Sequence, residues 1–140
     1  MVKMVVVSHG NMAAGMVHSA QMLAGRQEGL VAYGLQPEDD RSVLLENIRK
    51  ELESRAEGDE IIVLSDLFHG TPFNVAVELT EHFDFYHITG INLPLLVVML
   101  VGRMSGKTAA ELCEDAMAKA AGTIKDVRRM LEAADGAEED

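Results

Sequence analysis

Val2-Lys3-Met4-Val5-Val6-Val7-Ser8-His9-Gly10-Asn11 runs from an unbroken apolar segment straight into a polar, glycine-bearing corner. The segment Val2 to Ser8 is largely β-branched and hardly alternates, which is how a central parallel strand buried on both faces reads. A helix is expected to follow from about Asn11 to Ala24, with Met12, Met16, Ala20 and Leu23 on one face and Gly25 as its stop.

The same alternation continues along the chain. Leu30 to Gly34 reads as a short second strand, and the helix after the polar turn Gln36 to Asp40 turns Leu44, Leu45, Ile48 and Leu52 inward. Glu60 to Asp66 is a third strand, Pro72 to about His82 a helix with Phe73, Ala76, Val77 and Thr80 on one side, and Phe85 to Thr89 a fourth strand. Leu95 to Met104 and Ala109 to about Ala134 read as helices, the second interrupted at Gly122. This order predicts an α/β fold: an open, mostly parallel four-stranded sheet, doubly wound with helices on both faces. One domain over 1–132 is expected, with 133–140 an acidic tail whose last residues, Gly136 to Asp140, are solvated.

At 140 residues the chain fits one core without disulfides or a structural metal. Its single cysteine, Cys113, supports neither a disulfide framework nor a four-cysteine metal site, and a reducing cytosolic setting fits best. The apolar run Leu93 to Val101 contains Pro94 and falls short of the roughly 20 residues that span a bilayer. No signal peptide is read at the amino terminus, so a soluble protein is expected. A net charge of −11, from 23 acidic against 12 basic side chains, repels a phosphate backbone, and nucleic acid is not expected as a partner. Solubility accounts for most of that charge; an acidic rim steering a basic protein partner is the sharper reading.

Three strand-to-helix corners carry the chemistry: Ser8-His9-Gly10-Asn11, Asp66-Leu67-Phe68-His69-Gly70-Thr71-Pro72, and Gly90-Ile91-Asn92-Leu93-Pro94. In a parallel sheet all three open on one edge, where ligands of such folds sit. Each supplies a glycine and leads into a helix whose free N–H groups favour an anion. Thr71-Pro72 reads as an N-cap and first-turn pair, and Asn92 serves similarly before Pro94. Gly10 and Gly70 are the expected phosphate-binding positions, with Ser8, Asn11, Phe68, His69 and Asn92 lining the site.

His9 and Asp66 end strands expected to be neighbours. A histidine carries phosphate well when one nitrogen is bare and the other donates a hydrogen bond that fixes tautomer and ring orientation. Asp66 is therefore assigned to Nδ1 and the phosphoryl group to Nε2. A lone histidine at a strand end is more often structural, and a lone aspartate a cap; the two together, flanked by glycine corners, favour function. For His69 an exposed loop residue without a task is about as common as a site residue. His18, His82 and His87 read as structural or solvated, and most of the nine methionines as core filler. Met104-Ser105-Gly106-Lys107-Thr108 ends like a nucleotide-binding P-loop, but Val101 stands where that motif needs glycine. Thr108 and Glu111 also make an ordinary capping box, so ATP binding is set aside.

These residues give the chain a resemblance to the IIA domains of the mannose family of bacterial phosphoenolpyruvate-dependent sugar phosphotransferase systems. It rests on the strand ending His9-Gly10, on Ala20-Gln21-Met22-Leu23-Ala24-Gly25, on Asp66 followed by Gly70-Thr71-Pro72-Phe73-Asn74, and on Gly90-Ile91-Asn92-Leu93-Pro94. The resemblance implies that His9 takes a phosphoryl group from the carrier protein HPr and yields it to a histidine of a IIB component, which phosphorylates the incoming sugar. It implies that Asp66 orients His9, that Thr71 helps hold the phosphate, and that no metal or other cofactor takes part. It further implies a cytoplasmic homodimer that exchanges an edge strand near its carboxyl terminus and reaches the membrane components IIC and IID only through the transporter complex. Phe68-His69 departs from the Trp-Gly of some relatives.

Two readings of other kinds stand beside this one. Small tetrapyrrole metal chelatases also begin with a strand ending in His-Gly and would recruit His69 as a second ligand, although proline-led helix starts suit an anion better than a metal and a bulky macrocycle. A IIA-like regulatory phosphocarrier, reporting to a kinase or a transcriptional activator, shares the same site. The helix pattern over Thr123 to Val127 conflicts with an exchanged strand, and residues 123–130 are left open between the two.

Overall fold

The computed structural model describes residues 1–139. Four strands, β1 (Val2–His9), β2 (Leu30–Leu35), β3 (Glu60–Ser65) and β4 (Tyr86–Thr89), form one sheet in the order β2-β1-β3-β4. All three pairings are parallel. Right-handed crossovers explain the layering: α1 (Met12–Ala24) joins β1 to β2 on one face, and α2 (Arg41–Glu53) carries the chain back across β1 to β3 on the other. Helix α3 (Thr71–Leu79) shares the face of α2, whereas α4 (Leu93–Met104) and α5 (Ala109–Lys119) lie with α1.

The apolar run of β1 works as its composition requires. Met4 and Val6 enter the core beneath α1, α4 and α5 with Ile62, Leu64, Leu96 and Leu112, while Val5 and Val7 enter the core beneath α2 and α3 with Leu44, Ile48, Val63 and Leu79. Each such fully buried aliphatic side chain stabilises the fold by about 1.5–3 kcal/mol. With both faces covered, β1 carries one polar side chain before Ser8, the half-buried Lys3 that pairs with Glu51, and the strand leaves the core at His9.

Several expected helix faces and ends are corrected. In α1 the buried side chains are Ala13, Met16 and Ala20, and Met12 and Leu23 are exposed. In α3 they are Pro72, Val75, Ala76 and Leu79, and Val77 and Thr80 point outward. Helix α1 keeps Met16 and Ala20 inward as expected and differs only at its two ends, whereas α3 is turned by one position, its first turn being set by Gly70. The expected long helix from Ala109 breaks after Lys119 into a 3₁₀ turn, Ala120–Thr123, and Ile124 is extended at φ −104° and ψ 124°. A separate helix, α6 (Val127–Glu139), follows. Residues 136–139, expected as solvated tail, thus continue a helix that crosses the 132/133 boundary; Asp140 lies outside the described residues. No helix of the described residues is long and apolar enough to cross a membrane.

Candidate active site

The strand order reverses between β1 and β3, so the crevice of this fold lies at their carboxyl ends, where His9 and Asp66 emerge side by side. Asp66 Oδ2 accepts the His9 backbone N–H at 2.9 Å and lies 2.8 Å from His9 Nδ1, while Oδ1 accepts the Leu67 N–H at 3.0 Å. The Asp66 side chain is 6% exposed and that of His9 46%, so the carboxylate is built into the fold and the imidazole is presented to solvent. Burial alone would push the Asp66 carboxyl up; the His9 N–H and ring and the Leu67 N–H outweigh it and hold the group below the usual carboxylate range. An ionised Asp66 only accepts hydrogen bonds, so Nδ1 carries the proton and the neutral ring has a bare Nε2.

Nε2 faces the start of α3. A Cβ added at Gly70 would lie 2.9 Å from both Cε1 and Nε2 of His9, so the ring packs directly against the residue that caps the helix. The first bond of α3 is Asn74 N–H to Gly70 O at 2.9 Å, which leaves the N–H groups of Thr71 and Phe73 without a helical acceptor; Pro72 has none to place. Two donors without a helical acceptor and the positive end of a helix therefore belong to the turn that starts at the residue the imidazole packs against. Gly70 itself sits at φ +93° and ψ 177°, backbone open to glycine alone. Gly70→Ala is expected to cost about 1–3 kcal/mol in urea unfolding and to displace the imidazole. Histidine ring resonances that do not move in that variant would contradict this contact.

The remaining site positions divide. Thr71 is the first helical residue and Gly70 the cap, contrary to the expected Thr71 N-cap. Ser8 is buried and its Oγ accepts the Ala13 N–H at 2.7 Å, which secures the start of α1. Asn11 Oδ1 accepts from Gln36 Nε2 at 3.0 Å. Asn92 caps α4, its Oδ1 accepting the Leu95 N–H at 3.0 Å and its Nδ2 donating to Thr123 Oγ1 at 2.9 Å. Phe68 is 64% exposed and stands between the rings of His69, at 4.9 Å, and Phe73, at 5.2 Å. No hydrogen bond joins His69 to His9 or Asp66 among the described residues. The capping box at Thr108 and Glu111 is formed.

Gly34 shapes the corner after His9 although the sequence pattern gives it no part in the site. A Cβ at Gly34 would lie 1.9 Å from the Gly10 carbonyl oxygen, so the corner after His9 packs flat on β2 only because residue 34 has no side chain. A glycine inside an apolar strand is the available signal for such an approach.

Fold and site together define a doubly wound α/β domain with one aspartate-held histidine at its switch point. Residues 3–117 match the EIIA-man family model, described as PTS system fructose IIA component, and the chain belongs to that family of sugar phosphotransferase-system IIA components. It is 29% identical over 114 residues to the mannose-specific EIIAB component of Escherichia coli, a match covering 79% of this chain and 35% of that protein, so the chain spans about a third of that relative. It is 28% identical over 101 residues to the fructose-specific EIIA component of Bacillus subtilis, covering 71% and 69% of the two chains. The crystal structure of the EIIA component from Streptococcus agalactiae superposes with a TM-score of 0.82 at 26% identity, over 92% of this chain and 99% of that one.

Proposed function

We propose that His9 is the phosphoryl-accepting residue of this IIA component, taking the group on Nε2 from phosphorylated HPr and passing it to a histidine of a IIB component. The observation that carries the reading is the 2.8 Å contact of Nδ1 with Asp66, with Nε2 left bare against the start of α3. The Nε2 lone pair attacks phosphorus, the P–N bond to the donor ring breaks, and its electrons return to that ring. The positive charge gained by His9 is then held by the Asp66 carboxylate, a charge-assisted hydrogen bond worth about 1.5–3 kcal/mol. Gly10, Gly70 and Thr71 supply the backbone around the phosphoryl oxygens. Transfer to IIB reverses the same step, and neither needs a nucleotide or metal. The carrier works in the cytoplasm, meeting the membrane components IIC and IID through IIB.

Incubation with labelled phosphoenolpyruvate, enzyme I and HPr tests the reading. One acid-labile, alkali-stable phosphoryl group per chain is expected, located on Nε2 by phosphorus NMR. A chain that stays unlabelled, or a label on Nδ1, overturns it.

The protein acts as a homodimer in this reading. Ile124 is 82% exposed, and Val127, Met130 and Leu131 of α6 are exposed as well, an apolar stripe that the rest of the chain leaves uncovered. The extended backbone at Ile124 is where an exchanged strand would begin. Light scattering should give about twice the 15.2 kDa chain mass, and Leu131→Glu should return the monomer. A wild-type monomer at high concentration counts against it.

A further inference from the structure

Ser65, His87, Thr89 and Leu67 are joined in one hydrogen-bonded chain behind the active site. His87 Nε2 lies 2.8 Å from Ser65 Oγ, Ser65 Oγ 2.8 Å from Thr89 Oγ1, and Thr89 Oγ1 2.6 Å from the Leu67 carbonyl oxygen. A carbonyl oxygen only accepts, so it fixes every proton in the series. Thr89 must donate to Leu67, Ser65 must donate to Thr89, and His87 must donate its Nε2–H to Ser65. Burial lowers the pKa of His87, in keeping with a neutral ring in that one tautomer.

The chain grips the residues on both sides of Asp66. Leu67 is held through its carbonyl by Thr89 and through its N–H by Asp66 Oδ1. Ser65 is held through its hydroxyl, and its carbonyl accepts the N–H groups of Gly90 at 2.9 Å and Ile91 at 3.1 Å, just past β4. Thr89 is the only member that reaches across to the residue following Asp66. Without its hydroxyl, the turn Asp66–Gly70 would be fastened to β4 only through Ser65, on the strand side of the carboxylate.

We infer that Thr89 is a positioning residue for phosphoryl transfer, acting through Leu67 to hold the Asp66 carboxylate in line with His9 Nδ1. The inference rests on the phosphocarrier reading for its kinetic consequence. Thr89→Val keeps the shape and removes the donor; Thr89→Ser keeps the donor. With phospho-HPr as the varied substrate, Thr89→Val should lower kcat about tenfold with KM unchanged, the loss of one well-aligned hydrogen bond, and Thr89→Ser should restore it. A Thr89→Val rate equal to wild type, a serine variant as slow as the valine one, or a loss confined to KM would each overturn it. A second measurement does not need transfer at all: the His9 Nδ1–H should exchange with solvent faster in Thr89→Val than in wild type. Equal exchange overturns the positioning role. If the wild type takes up no phosphoryl group, the carrier reading fails while the exchange comparison still decides whether Thr89 holds Asp66.

Discussion

His9→Ala should take up no phosphoryl group from phospho-HPr. The expected fall in transfer is on the order of 10⁶-fold, the scale reached when an enzyme loses its covalent nucleophile. Nothing nearby replaces it: the Asp66 carboxylate is turned toward backbone N–H groups, and Thr71, at the helix start, lacks an adjacent base. The fold should survive, because the lost side chain is half-exposed and its largest interaction is one hydrogen bond to Asp66. Asp66 would keep the N–H groups of residues 9 and 67, so a loss of about 1–2 kcal/mol in urea unfolding is expected. Labelled phosphate retained by a folded His9→Ala protein would move the chemistry to another residue, with His69 the first to test.

Much of this candidate site could be read from the chain because the residues proposed to carry the chemistry are the ones that end the strands. Short, largely β-branched runs such as Val5-Val6-Val7 and Ile61-Ile62-Val63-Leu64, bounded by polar corners, read as central strands, and neighbouring parallel strands bring the residues that follow them to one edge. That alone sets His9 beside Asp66. Helix faces were less legible. The apolar stripe of α1 is broad enough to accommodate either Met12 or Ala13 as an inward residue, and only the bond from Ser8 Oγ to the Ala13 N–H fixes the choice. The same bond takes Ser8 out of the crevice, and the contacts of Asn92 with Leu95 and Thr123 occupy its amide. Short polar side chains beside helix starts have two uses, and sequence does not separate them.

The carboxyl-terminal third was legible in composition but not in connection. Helix-forming residues run almost unbroken from Ala109, yet the chain leaves the helical path at Ala120 to Thr123, where Thr123 Oγ1 donates to the Ala120 carbonyl and accepts from Asn92. A tertiary bond to a residue 31 positions away overrides local propensity there. The apolar stripe of α6 has the spacing of a core helix without a core in its own chain, so periodicity within one chain carries no address for it.

Asp66→Asn should slow transfer about 10²–10³-fold while leaving the protein folded, the range general-base positioning commands. The reason lies in the count of donors. In the wild type both carboxylate oxygens accept: Oδ1 from Leu67, and Oδ2 from the His9 backbone and, through Nδ1–H, its ring. An amide must turn its NH₂ group toward one side or the other. Turned toward His9, it opposes the backbone N–H and favours the tautomer with Nδ1 bare and Nε2 protonated, which removes the attacking lone pair. Turned toward Leu67, it opposes that N–H and strains the turn leading to Gly70. Neither amide orientation carries the charge that offsets a phosphorylated imidazolium, so kcat should fall more than affinity for the donor changes. The pH dependence has a fixed sign. Because the folded-state pKa of Asp66 lies below its ordinary value of 3.8, its ionised form contributes stability that is fully present above pH 3.8 and fades as pH falls through the lower folded value. The unfolding free energies of wild type and Asp66→Asn should therefore differ by a constant amount near neutral pH and converge in acid. A full transfer rate in the variant, or a stability gap that widens on acidification, would mean that the carboxylate is not what holds His9.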